Sequence, residues 1–345
     1  MRLEIPAPCL PLANSAARPC VSRPSRHSAG RRRFLVAVFA IVTAVMTSAV
    51  PLYASSVSFA DGGTHTFDGF AESLTARDGA GFAPTTVRLT APGDVPHLFA
   101  EEHSIVDILG GTVAHLAAKD NVQVGVFNGV ISHLTAEGSP HVSVFDGVVS
   151  HLRARDNAQV NVFGGEISHL SAYDHSQVDI HGGTMDYAGA YGTHPSGPGS
   201  PPPPSQLTIH GGQVDIVKAD FGGMVDIFGG DIFATNPSRS GIMHIYGGSI
   251  DQFTLNPDTY TYVYGSDMVL TPNGLVHDIP QYILTGFLQD GSPLLVDVNL
   301  PAGAVLQLIT VPEPSALALL ASGGVALMLG WRRNRPLRAW EGSTG

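Results

Sequence analysis

Apolar residues recur at fixed offsets from a recurring glycine through the middle of the chain. The glycines are Gly93, Gly111, Gly129, Gly147, Gly165 and Gly183, eighteen residues apart, then Gly212, Gly230 and Gly248 at the same interval. The second residue after each is apolar: Val95, Val113, Ile131, Val149, Ile167, Met185, Val214, Ile232 and Ile250. Position five is Leu98, Leu116, Leu134, Leu152 and Leu170, and position seven is alanine at Ala100, Ala118, Ala136, Ala154, Ala172, Ala190 and Ala219. A second alternating pair follows, such as Val124 with Val126, Val142 with Val144 and Val160 with Val162. A spacing of two is the signature of a strand, so each segment reads as one coil of strands closed by polar corners. The residue ahead of the glycine is usually Gly, Asn or Asp (Gly110, Asn128, Asp146, Gly164), types that tolerate a left-handed backbone, and the corner is expected there.

A single coil cannot bury its own apolar face, whereas stacked coils can. In-register stacking sets equivalent strands about 4.8 Å apart in parallel sheets, so nine coils make a rod roughly 45 Å long. The hexapeptide left-handed helix also closes in eighteen residues, but it needs aliphatics at every sixth position, and here the spacings run two, five, three, two and six. The predicted fold is therefore all-β: a parallel β-helix with a β-rich C-terminal cap and a single C-terminal transmembrane helix. The expected divisions are an N-terminal extension with signal peptide over 1–54, an N-terminal β cap over 55–92 and the repeat region over 93–264 with a loop at 187–206. A β-rich cap over 265–310 follows, then a tail motif, helix and basic stop over 311–338, and an end piece over 339–345. The loop contains four consecutive prolines from Pro201. In the cap, Leu294, Val296, Val298 and Leu300 alternate as a strand that would shield the open edge of the last coil.

The chain ends read as targeting. Arg31, Arg32 and Arg33 precede an apolar run from Phe34 to Val50, and Tyr53-Ala54-Ser55 offers a cleavage site after Ala54. The arginines fit the twin-arginine pattern, but Gly30 and Val36 depart from it and the run is strongly apolar, which favours general secretion. An uncut N-terminal anchor is the bland alternative. Near the other end, Val311-Pro312-Glu313-Pro314-Ser315 is followed by an apolar run from Ala316 to Trp331 and then by Arg332, Arg333, Arg335 and Arg338. The order of motif, helix and basic stop resembles the PEP-CTERM sorting tail, a bacterial family also catalogued as the ice-binding-protein C-terminal type. The stretch from Tyr262 to Leu308 is similar to the segment preceding such tails in planctomycete-type proteins with glycine-glycine repeats. The resemblance implies processing by an exosortase-type enzyme and sorting to the surface. The four arginines would hold their end of residues 316–331 in the cytoplasm.

Composition agrees with export. From Ser55 to Ser315 there are twenty-seven Asp and Glu against seven Lys and Arg, a net charge near −20, which argues against nucleic acid or anionic lipid as partners. Cys9 and Cys20 both precede the apolar run of the signal, so the processed chain has no disulfide and must be held by stacking.

Two columns invite chemistry. His97, His115, His133, His151 and His169 occupy position four of successive coils and would stack on one face. They are metal candidates, although duplication of a tolerated residue explains them without a metal, and no metal or other cofactor is expected. Asp78, Glu102, Asp120, Asp156 and Asp174 at position nine form an acidic column, read as solvated corners in preference to calcium sites. Asp215 and Asp226 could be invoked as a hydrolytic pair, but both read as outward strand positions. The expectation is a non-enzymatic, surface-sorted structural or adhesive solenoid. Its expected partners are the export machinery, signal peptidase, an exosortase-type enzyme, the membrane and extracellular polysaccharide. A carbohydrate-active or carbohydrate-binding β-helix is the alternative.

Overall fold

The computed structural model describes residues 56–81, 83–192 and 204–311, and every regular element among them is a β-strand. The signal segment, the cleavage site, the tail from Pro312 onward and the proline tract to Pro203 lie outside the described residues.

The chain winds into a parallel β-solenoid of about eleven turns. Each coil gives one long and one short strand: Thr112–Asp120 and Gln123–Val126, then Val130–Gly138 and His141–Val144, then Val148–Ala154 and Gln159–Val162. Long strands pair with long and short with short, so that Val113 faces Ile131, Leu116 faces Leu134 and Val124 faces Val142. Two parallel sheets result, each built one strand per coil.

The burial pattern shows how eighteen residues close a coil. Val113, Leu116 and Ala118 are buried in the long strand, Val124 and Val126 in the short one. Val113 and Leu116 both point inward although they lie three positions apart, which puts Ala114 and His115 outward in succession. Strict alternation fails there because the strand bends, and the long strand thereby supplies two sides of the coil. The second position is buried in all nine coils from Val95 to Ile250.

The corners differ from the expectation in one respect. The left-handed residue is the recurring glycine itself, with φ of 111° at Gly129 and 101° at Gly147, not the residue before it. Asn128 and Asp146 contribute through their side chains, whose Oδ1 atoms accept the Gly129 and Gly147 N–H groups at 2.7 and 2.8 Å. The sequence signal for an Asx residue was real, but it marked a hydrogen bond and not a backbone conformation.

The sheets run past both ends of the predicted 93–264 repeat. Val57–Phe59 and Thr64–Phe67 already pair in parallel with Ser73–Ala76 and Thr86–Leu89. At the other end, Tyr260–Val276 begins as a short-sheet strand and leaves the solenoid at Gly265 as a hairpin arm with Ile279–Leu288. His277 and Asp278, between them, both have positive φ (51° and 64°), as a tight turn matched to strand twist requires. The chain then returns through Pro293–Asn299 and Val305–Thr310, which add one more strand to each parallel sheet. Ile279–Leu288 pairs antiparallel with Pro293–Asn299 and covers its outer edge. The strand containing Leu294, Val296 and Val298 thus covers the open edge of the last glycine-started coil, as expected, and its own outer edge is covered in turn by Ile279–Leu288. At the predicted loop, strands run to Tyr191 and resume at Gln206, which narrows it from 187–206.

Candidate functional site

The long sheet carries the histidine column on its outer surface. His97, His115, His133, His151 and His169 face one another across successive strands, with ring centroids 4.8 to 5.3 Å apart and nearly parallel planes. Tyr187 continues the stack. Imidazole lone pairs lie in the ring plane, so parallel rings aim them along parallel directions. They do not converge on one ion in this arrangement. Among the described residues no group of three or more His, Cys, Asp or Glu side chains is placed to hold a metal. Burial holds His151 below its ordinary value, and the neighbouring imidazoles of His133 and His169 add to the effect.

The acidic column sits at the opposite corner. Glu102, Asp120, Asp156 and Asp174 all take positive φ between 56° and 65°, and Gly138 occupies the same place in its coil. These residues are selected for a left-handed corner, which Asp tolerates and Gly adopts freely. Some of their carboxylates serve neighbouring coils, as when the Asp156 Oδ2 accepts the Gly138 N–H at 3.1 Å. At the start of the column the His103 ring lies 2.9 Å from the Asp78 carboxylate. Asp215 and Asp226 are not brought together: the first is exposed on the long sheet, the second is buried on the short sheet with the Gln206 amide donating to it at 2.9 Å.

A third column emerges on the short sheet. Phe127, Phe145, Phe163, His181, His210, Phe228, Tyr246 and Tyr264 form an unbroken stack with centroids 4.3 to 5.3 Å apart. The phenylalanines are more than two-fifths exposed. Because each ring face is covered by the next ring, the stripe presents edges to solvent and forms an apolar ridge. Beside it runs a polar column, Asp107, Gly125, Ser143, Asn161, Asp179, Thr208 and Asp226, and beyond that Gln123, His141, Gln159, Gln177 and Gln206. An open depression of about 410 Å³ lies over Gly125, lined by Asp107, Gln123, His141, Ser143 and Phe145. The eighteen-residue recurrence of Phe127, Phe145 and Phe163 was the available signal for this face.

The repeat gives way near the proline loop. The Tyr187 and Tyr191 hydroxyls hydrogen-bond to each other over Gly189, and burial raises both above the ordinary phenol value. Lys218 pairs with buried Asp220 at 2.9 Å and lies 5.9 Å from the Tyr191 ring centre. A polar depression of about 400 Å³ adjoins it, lined by Lys218, Asn236, Ser238, Arg239, Asn256, Pro257 and Asp258.

Of the predicted sorting residues, only Val311 is described; its N–H donates to the Gly265 carbonyl at 2.9 Å, where the hairpin arm departs. The basic stop at Arg332, Arg333, Arg335 and Arg338 and the apolar run 316–331 lie outside the described residues. No helix among the described residues is long and apolar enough to cross a membrane. No curated protein and no solved structure matches the chain. Residues 310–335 match the model of the PEP-CTERM protein-sorting motif. That motif implies export, sorting to the cell surface and recognition by an exosortase-type enzyme.

Proposed function

We propose that the chain is a structural or adhesive surface solenoid, without catalytic activity, that holds extracellular polysaccharide along its short sheet. It is exported through its N-terminal signal, held in the membrane by residues 316–331 and processed at the Pro312-Glu313-Pro314 motif. The observation that carries this reading is the continuous face where amide, hydroxyl and carboxylate columns run beside the aromatic ridge. Hydroxyls of a linear glycan find donors and acceptors in the columns, while its C–H faces lie along the ring edges. Among the described residues Arg88, one strand ahead of Asp107 in the polar column, is the sole Lys or Arg on these columns, so a neutral glycan fits better than an acidic one. Each contact is weak, and repetition along the axis supplies avidity.

A carbohydrate-active alternative draws on the non-repeating Tyr187, Tyr191, Lys218 and Asp220 cluster. The two readings separate in one experiment: the chain is screened against neutral and acidic polysaccharides for binding and for sugar release, alongside a Phe145→Ala, Phe163→Ala, Phe228→Ala variant. Binding to a neutral glycan that the variant weakens at least about tenfold, without sugar release, is expected. Unchanged binding by the variant, or release of sugars, overturns the proposal.

A further inference from the structure

The C-terminal antiparallel sheet has two unlike faces. Directly opposed residues share a face, so the pairings Leu270↔Leu284↔Val296 and Tyr282↔Val298 define one side, which packs against the core. The pairings Val269↔Thr285↔Leu295, Phe287↔Pro293, Thr271↔Ile283↔Asp297 and Val276↔Ile279 define the other. That outer side is open and carries large exposed apolar side chains beside Thr271, Thr285 and Asp297: Leu295 is 74% exposed, Val269 55%, Phe287 48% and Val276 46%. Val269, Leu295, Phe287 and Pro293 fall in adjacent rows and form one exposed apolar patch, the kind of surface that marks an interaction site.

We infer that this outer face docks on the surface of the lipid bilayer and sets the solenoid's attitude on the membrane before the tail is processed. The inference rests on the reading that residues 316–331 enter the membrane. The chain leaves the fold at Val311, bonded to Gly265, the residue at which the arm carrying this face also departs. Pro312-Glu313-Pro314-Ser315 then separates the fold from the apolar run, a span of roughly 16 Å if extended at about 3.3 Å per residue. Lipid is thus delivered to this face in every anchored molecule, whereas a second copy must be recruited from the surroundings. The charge pattern narrows the chemistry further. Residues 240–331 contain no Lys or Arg, and Asp267, Asp278 and Asp297 lie on or beside the face. Attraction to anionic headgroups is therefore excluded as the driving force, and shallow apolar burial in a zwitterionic interface remains.

The test uses the full chain with Cys9 and Cys20 changed to Ser, reconstituted in phosphatidylcholine vesicles. An environment-sensitive fluorophore is placed at Asp297→Cys on the outer face, at Ser322→Cys in the apolar run, or at Asn161→Cys on the short sheet. Nitroxide-bearing lipids then report contact by quenching. Quenching at positions 297 and 322 but not 161 is expected, with loss at 297 alone when Leu295→Asp and Val269→Asp are added. Quenching at 322 without quenching at 297 overturns the inference and leaves the anchoring intact. Absence of quenching at 322 removes the anchoring and the inference with it. Energy transfer between copies labelled at 297, without lipid quenching there, identifies a second copy as the occupant and also overturns it.

Discussion

Replacing Gly147 with alanine tests the corner on which every coil depends. Its φ of 101° lies where side chains are rarely tolerated, which costs roughly 1–2 kcal/mol for an L residue. The added Cβ would also sit 2.8 Å from the Gly129 carbonyl oxygen, a backbone atom that cannot rotate away. That oxygen accepts the Val148 N–H at 2.9 Å, so displacing it weakens a rung of the ladder, worth about 1 kcal/mol. Together these give a loss of about 2–3 kcal/mol. Gly125 is the control. It lies within the strand Gln123–Val126, without positive φ, and its added Cβ would meet the ring edge of exposed Phe127 and the carboxylate of Asp107. Both are side-chain ends that can move, and alanine relieves the entropic cost of glycine in a strand, so Gly125→Ala should remain within about 0.5 kcal/mol of the parent. Urea unfolding followed by circular dichroism measures both. If Gly147→Ala is as mild as Gly125→Ala, the glycine column is a relic of duplication and the steric account of the corner is wrong.

Two further outcomes are expected. Val149→Asp places an unpaired carboxylate in the core and should lower stability by roughly 3 kcal/mol or more, whereas Asn161→Asp should cost less than about 1 kcal/mol, a salt-sensitive loss set by Asp179 on the adjacent strand; thermal unfolding at low and high salt checks both. The depressed pKa of His151 means that the unfolded chain takes up a proton below about pH 6.5 that the folded chain resists, so stability falls as pH is lowered from about 8 to about 5, and His151→Gln should make that fall shallower in a Tm-versus-pH series.

What could be read in advance follows from which residues stay constant from coil to coil. Position two remained apolar because it faces the axis in every coil, and the histidine column kept its residue type over five coils, so both announced themselves. The aromatic ridge did not, because its members alternate among Phe, His and Tyr and follow Leu109 at the same offset; stacking requires a flat ring and not a particular one. The hairpin arm was hidden for a different reason. Tyr260–Val276 is one continuous strand that changes partners at Gly265, and the turn beyond it is His277-Asp278, without the Asn-Gly or Asp-Gly pair that signals a two-residue hairpin. The acidic corner showed its composition but not its cause, since Glu102, Asp120, Asp156 and Asp174 share a left-handed backbone there with Gly138.

The constant coil length has a genetic consequence. Since His133 pairs with His151 through the same register that joins His115 to His133, excising the segment from Gly129 to Asp146 would bring Asn128 directly before Gly147 and leave each remaining strand a partner of matching pattern. Recombination between coding repeats can therefore lengthen or shorten this molecule by whole coils without re-evolving its cross-section, so that its reach from the cell is a heritable quantity that changes in fixed steps.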